Sequence, residues 1–180
     1  MKILFLILII LGSLIISCSN STEPDYNKYY NELSNLDAKQ TIEKGNEWRD
    51  SAPKIKTHIT STEVIVEFPD GRVVNKSLPD NLMYIAVAPY LNTTHECSTH
   101  YPSSCKGEIT EKSVKLTAKD EDGTIYFDEN MTTLKYGFFE LWLPRNRNIK
   151  LELKFNSFVG EETIQTNSDS RTCITTIRLK

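Results

Sequence analysis

The chain has no Gly-rich phosphate loop, no Gly-x-Ser-x-Gly elbow and no His-Glu-x-x-His pair, so the usual sequence marks of nucleotide binding, α/β-hydrolase catalysis and zinc peptidases are all missing. It has no surplus of basic charge either. Twenty-one Lys and Arg against 24 Asp and Glu leave a net charge of −3, far from the footprint of a nucleic-acid binder. Beyond its N-terminus it shows no second apolar span, no heptad run and no internal repeat. Histidine and cysteine are scarce, at three and four in 180 residues. That scarcity makes their placement informative, because two of each fall within residues 94–108, THECSTHYPSSCKGE.

The one long apolar run, from Ile3 to Ile16 after Lys2, is broken only by Gly12 and Ser13. Its length suits the core of a signal peptide better than a membrane span. It ends in Leu14-Ile15-Ile16-Ser17-Cys18, which resembles the lipobox of bacterial lipoproteins. The expected organisation is a leader over 1–17 and a lipidated Cys18 with a polar tether over 18–26. A helical and hairpin subdomain follows over 27–90, then a β-rich subdomain over 91–180. The protein is thus expected outside the cytoplasm, anchored to a membrane through Cys18. With Cys18 acylated, three cysteines remain, and an odd number in an oxidising compartment leaves at least one thiol without an intramolecular partner.

The expected fold class is α+β: short N-terminal helices, then a mainly antiparallel β region, sandwich-like or an open barrel, that carries the Cys/His loop. Asp37 reads as the N-cap of a helix from Ala38 to about Trp48, with a shorter helix around Tyr26 to Leu33. Ser51-Ala52-Pro53 ends the helical part. Glu63–Phe68, the turn Pro69-Asp70-Gly71 and Arg72–Leu78 form a hairpin. Further strands are expected at Met83–Ala88, Ser113–Ala118, Thr124–Asp128, Phe138–Leu143, Ile149–Phe155, Glu162–Thr166 and Cys173–Leu179. Asp120-Glu121-Asp122-Gly123 lacks the spaced ligands of a calcium loop and reads as a hairpin turn. Trp48 and Trp142 read as core anchors.

The chemistry therefore concentrates in His95, Cys97, His100, Cys105 and Glu108. Cys97 with either histidine could form a thiol–imidazole couple, yet nothing supplies an oxyanion hole. His95, Cys97, His100 and Cys105 would be a permissible Cys2His2 zinc set, but the spacing matches no usual finger and leaves Cys173 idle. A Cys97–Cys105 disulfide would close a short loop and stabilise it by about 2–3 kcal/mol. A soft ion such as Cu(I), which prefers two or three thiolates with imidazole in support, would use more of what is present. Lys106 and Arg171, adjacent in sequence to Cys105 and near Cys173, would then lower thiol pKa values and offset thiolate charge, with a solvated surface as the equal alternative.

Five blocks carry a resemblance. Val87-Ala88-Pro89-Tyr90, Thr94-His95-x-Cys97-x-x-His100, Cys105-x-Gly107-Glu108, Gly137-Phe138-x-x-Leu141-Trp142-Leu143-Pro144-Arg145 and Thr172-Cys173-Ile174-Thr175-Thr176 are similar, in order, to the CueP family of exported bacterial copper-binding proteins. The likeness runs from about Leu33 to the C-terminus and is dense after Met83. It implies that Cys97, Cys105 and Cys173 coordinate copper, as Cu(I), with His95 and His100 as lesser candidates. It also implies a role in copper resistance, by sequestration or by delivery to an acceptor cuproprotein, with homodimerisation compatible. The alternatives are thiol-based reduction of Cu(II) and a disulfide-stapled binding module without metal. Ser98 departs from the aromatic residue expected after the first cysteine.

Overall fold

Two capped helices lead into ten strands in the computed structural model, which describes residues 25–52 and 54–180. The expected leader and Cys18 lie outside those residues. Helix α1 (Tyr26–Leu33) is capped by Asp25, whose carboxylate accepts from the Asn27 N–H at 3.0 Å. Helix α2 (Ala38–Ser51) begins in a reciprocal capping box. Asp37 accepts from the Gln40 N–H at 2.9 Å, and the Gln40 side chain accepts from the Asp37 N–H at 3.1 Å, which satisfies donors that a helix start leaves free. Asp37 is the cap expected from the sequence. Among the described residues no helix is long and apolar enough to cross a membrane.

The strands form three open sheets. β1 (Lys56–Ile59), β2 (Glu63–Glu67) and β3 (Val73–Ser77) make an antiparallel meander whose β2–β3 turn contains Gly71 at φ +87°. β4 (Leu82–Val87) lies between β7 (Phe139–Pro144) and β10 (Cys173–Ile174). β5 (Ser113–Asp120), β6 (Ile125–Thr132), β8 (Asn148–Phe155) and β9 (Phe158–Gln165) make a four-stranded sheet in the order β6-β5-β8-β9. Every pairing is antiparallel except β4 with β10, which is parallel. This is the expected α+β architecture, and no barrel closes among the described residues.

β4 explains why its sequence is an unbroken apolar run. Met83, Ile85 and Val87 point into the core shared with Val114, Leu116, Leu151 and Leu153 of the four-stranded sheet. Tyr84, Ala86 and Ala88 point the other way, into a core with Ile42, Ile59, Val64 and Phe138. A strand buried on both faces cannot show apolar–polar alternation. Each fully buried large side chain here contributes about 1.5–3 kcal/mol, so this strand ties the two halves firmly. A third cluster seats Tyr26, Leu33 and Trp48 of the helices on Val66 and Phe68.

Two expectations need correction. β1 was not foreseen, because only Thr57 and Ile59 of its four residues face inward. The last strand shrinks to Cys173–Ile174, because beyond Ile174 the chain leaves β4 and hydrogen bonds instead to Tyr90 and Val159.

Candidate metal centre

β4 delivers the chain into residues 91–112, a segment without regular strands whose backbone is held from several directions. Glu108 reaches back to its start. The carboxylate accepts from the N–H groups of Leu91, Asn92 and Thr93 at 2.7, 2.9 and 3.3 Å, and from the Asn92 side-chain amide at 3.0 Å. The Asn92 backbone N–H leads the group that holds this carboxyl down to about 2, since donors favour the ionised form. Thr94 donates its hydroxyl to the Thr175 carbonyl at 2.6 Å. At Gly107 the loop crosses Gly137 so closely that a Cβ would lie 1.9 Å from the Gly137 carbonyl oxygen. The Gly107 N–H donates to the Tyr136 carbonyl at 2.7 Å.

The other side of the loop is gripped by α2 and β1. Arg49, buried on α2, donates to the carbonyls of Pro102 at 3.2 Å, Ser104 at 3.2 Å and Cys105 at 2.5 Å. Its guanidinium stacks 3.4 Å from the centre of the Tyr136 ring. Gly45 lets α2 approach β1 this closely, because a Cβ there would meet Thr57 Cγ2 at 2.8 Å. Ile59 at the end of β1 donates its N–H to the His100 carbonyl at 2.9 Å. The Thr172 hydroxyl accepts from the His100 N–H at 3.0 Å and donates to the Ile59 carbonyl at 2.5 Å. The N–H groups of Thr172 and Cys173 both donate to the Ser98 carbonyl, at 2.9 and 3.3 Å. Position 98 thus serves through its backbone, which a serine supplies as well as any residue.

These anchors bring the three cysteines together. Cys105 Sγ lies 3.8 Å from Cys97 Sγ and 3.5 Å from Cys173 Sγ. All three are free thiols, with separations well beyond a disulfide bond of about 2.05 Å. Cys173 is placed by its parallel pairing with Ala86 of β4. The histidines stand on different sides. His95, exposed, brings Nε2 to 3.6 Å from Cys105 Sγ. His100 is fully buried, edge-on to Phe138 at 4.5 Å and beside Tyr84 at 5.9 Å. Two groups could each hold an ion, His95 with Cys97 and Cys105, and His100 with Cys105 and Cys173, with donor atoms in each group within 4.8 Å of one another.

The sulfurs do not titrate alike. Contacts with Cys173, then Cys97, push the Cys105 thiol far below its usual range. The bond to Cys105 raises Cys97 to about 11 and, with the bond to Cys97 and burial, holds Cys173 well above the ordinary thiol range. Cys105 is thus the sulfur most disposed to ionise, flanked by the other two, while the Cys97 thiol also donates to the Thr99 carbonyl at 3.1 Å. The expected help from Lys106 and Arg171 takes a different form. Lys106 is exposed and Arg171 is paired with Glu162 at 2.8 Å, and the neighbouring thiols are what lower the Cys105 pKa most.

The donor set fits a soft ion. Neither ring nitrogen of buried His100 has a hydrogen-bond partner, a state that costs about 1–3 kcal/mol per group when nothing compensates. Two thiols lie within ligand distance of that ring. The remaining sequence candidates are structural. Asp120 accepts from the Thr124 N–H and the Tyr126 hydroxyl at its turn, Trp48 is buried, and Trp142 packs half-buried against Tyr84 at 5.6 Å. Arg49 and the clasping action of Glu108 were not foreseen. Glu108 stood inside a quoted motif, whereas Arg49 carried no local signal.

Residues 40–178 match the sequence profile of a family described as the periplasmic copper-binding protein CueP. A solved structure, "Crystal Structure of S.CueP", is similar at a TM-score of 0.74 and 28% identity, over 86% of this chain and 96% of that one. No curated protein matches the chain.

Proposed function

The chain belongs to the CueP family of periplasmic copper-binding proteins, and from that premise we propose that it captures Cu(I) through Cys97, Cys105 and Cys173, with His95 and His100 as supporting nitrogen donors. The observation that carries this reading is the position of Cys105 Sγ, 3.8 and 3.5 Å from the other two sulfurs. Thiolates around one ion at the usual bond length of about 2.3 Å stand roughly 4 Å apart, so each pair of sulfurs that includes Cys105 already has that spacing. Thiolates with imidazole suit a soft monovalent ion. Copper here is cargo, held for sequestration or passed to an acceptor. The leader over 1–17 would direct export and be cut off, and lipidated Cys18 would then tether the domain to the membrane on the extracytoplasmic side.

The test is anaerobic titration of the reduced protein with Cu(I) against a competing chelator. Tight binding is expected in the wild type and lost in the triple Cys→Ser variant. Undiminished binding by that variant would overturn the assignment.

The short sulfur separations also favour a second reading, reduction of Cu(II). Two thiols would give two electrons to two Cu(II) ions, forming one disulfide and two Cu(I) and releasing two protons. Counting free thiols before and after Cu(II) addition separates the readings. Stoichiometric thiol loss without retained copper favours reduction, and retained thiols with bound Cu(I) favour capture.

A further inference from the structure

We infer that the centre holds copper in two successive positions, an outer one made by His95, Cys97 and Cys105 and an inner one made by His100, Cys105 and Cys173, with Cys105 common to both. This rests on the copper-capture reading above and adds where the ion arrives and where it comes to rest.

Both triples have the spacing of a ligand set, yet their surroundings differ. In the outer triple His95 is exposed and Cys97 half-buried. It opens onto a surface groove of about 410 Å³ bordered by Thr94, His95, Glu96, Cys97, Ser98 and Arg171. In the inner triple every member is buried, with His100 at 0% and Cys173 at 1% exposure. The His100 ring is fixed by packing on Phe138 and by its backbone bond to Thr172, while both ring nitrogens stay unpartnered. A core histidine retained for packing would normally bond a carbonyl or hydroxyl. This one packs against the rings of Phe138 and Tyr84, with the sulfurs of Cys105 and Cys173 in its ligand group.

Transfer between the positions is a ligand exchange. The bonds to His95 and Cys97 break as those to Cys173 and His100 form, and the Cys105 sulfur stays bound throughout. Copper remains Cu(I). The proton on the Cys173 sulfur passes to Cys97, so each position contains two thiolates and one imidazole and carries the same charge. What changes is the environment, from one that water reaches to one that it does not. A shared central sulfur gives the ion a path inward without passing through a weakly coordinated state.

The experiment follows Cu(I) uptake from a coloured chelator complex, and stripping by excess chelator, in the reduced protein and its variants. Cys97→Ser, keeping the inner triple, is expected to take copper up about tenfold more slowly yet release it as slowly as the wild type. Cys173→Ser, keeping the outer triple, is expected to take it up normally and lose it about tenfold or more faster, within the range seen when a metal site's surroundings are disturbed. Cys105→Ser should fail in both. His95→Ala should slow uptake alone, and His100→Asn should speed stripping alone. If His100→Asn does not fold, as judged by circular dichroism, the cysteine pair still decides. Equal behaviour of Cys97→Ser and Cys173→Ser, or Cys105→Ser no weaker than either, overturns the two-position centre while leaving copper capture intact. A wild type that takes up no Cu(I) overturns the underlying reading instead.

Discussion

Replacing Arg49 with Met removes the head group that ties α2 to the loop carrying Cys105, while keeping most of the apolar stem. Three carbonyls, those of Pro102, Ser104 and Cys105, lose their charged donor, and the Tyr136 ring loses its cation. Hydrogen bonds to a charged group are worth about 1.5–3 kcal/mol each, and a partly desolvated cation–π contact about 0.5–2 kcal/mol. These cannot simply be added, because one guanidinium serves all four and its burial is itself costly. A net loss of about 2–4 kcal/mol is expected, since the carbonyls left without a donor cost about 1–3 kcal/mol each while the cost of burying the guanidinium is recovered. Against a typical total of about 5–15 kcal/mol, urea unfolding of the reduced, copper-free protein should show it clearly. Arg49→Lys should recover less than half, since one ammonium cannot reach three carbonyls in a fork. Copper affinity should fall as well, because binding would then have to order the loop. A destabilisation below about 1 kcal/mol, the worth of a surface ion pair, would refute the idea that Arg49 holds the loop in place.

Three further outcomes are expected. Gly107→Ala forces a Cβ to within 1.9 Å of the Gly137 carbonyl oxygen, so the loop must move, at a cost of about 3 kcal/mol or more in thermal or urea unfolding. The folded-state pKa of Glu108, about 2, lies below its ordinary 4.5, so its contribution is present above pH 4.5 and lost as pH falls toward 2. Glu108→Gln should therefore be less stable at neutral pH and show a flatter stability profile across that window. Cu(I) at about a hundredfold above its Kd should raise the unfolding free energy by about 2.7 kcal/mol, and excess chelator should remove that gain. A melting midpoint indifferent to copper would argue against binding by the folded state.

The strands that pack on themselves were legible in the sequence. β2–β3 announced itself through alternation around Pro69-Asp70-Gly71, and β4 through its run of buried residues. β1 did not, because Lys56–Ile59 is too short to show a period and is held by β2 on one side and His100 on the other. The cysteines and histidines of the centre were legible as residues, but their arrangement was not. Cys173 reaches Cys105 across 68 positions of sequence through a two-residue parallel pairing, and nothing local specifies that partner. Arg49 was invisible for a related reason. Its targets are backbone carbonyls more than fifty positions away, and backbone carbonyls leave no mark on a sequence. The histidines shared one motif, and only burial distinguishes the exposed ring of His95 from the enclosed one of His100.

X-ray absorption at the copper edge, on reduced protein loaded anaerobically with one equivalent, addresses the central claim most directly. The expected spectrum has a Cu(I) edge and a first shell dominated by sulfur at about 2.3 Å, the thiolate bond scale, with that sulfur signal lost in the triple Cys→Ser variant. A Cu(II) edge with a shell of nitrogen and oxygen alone would contradict capture by Cys97, Cys105 and Cys173.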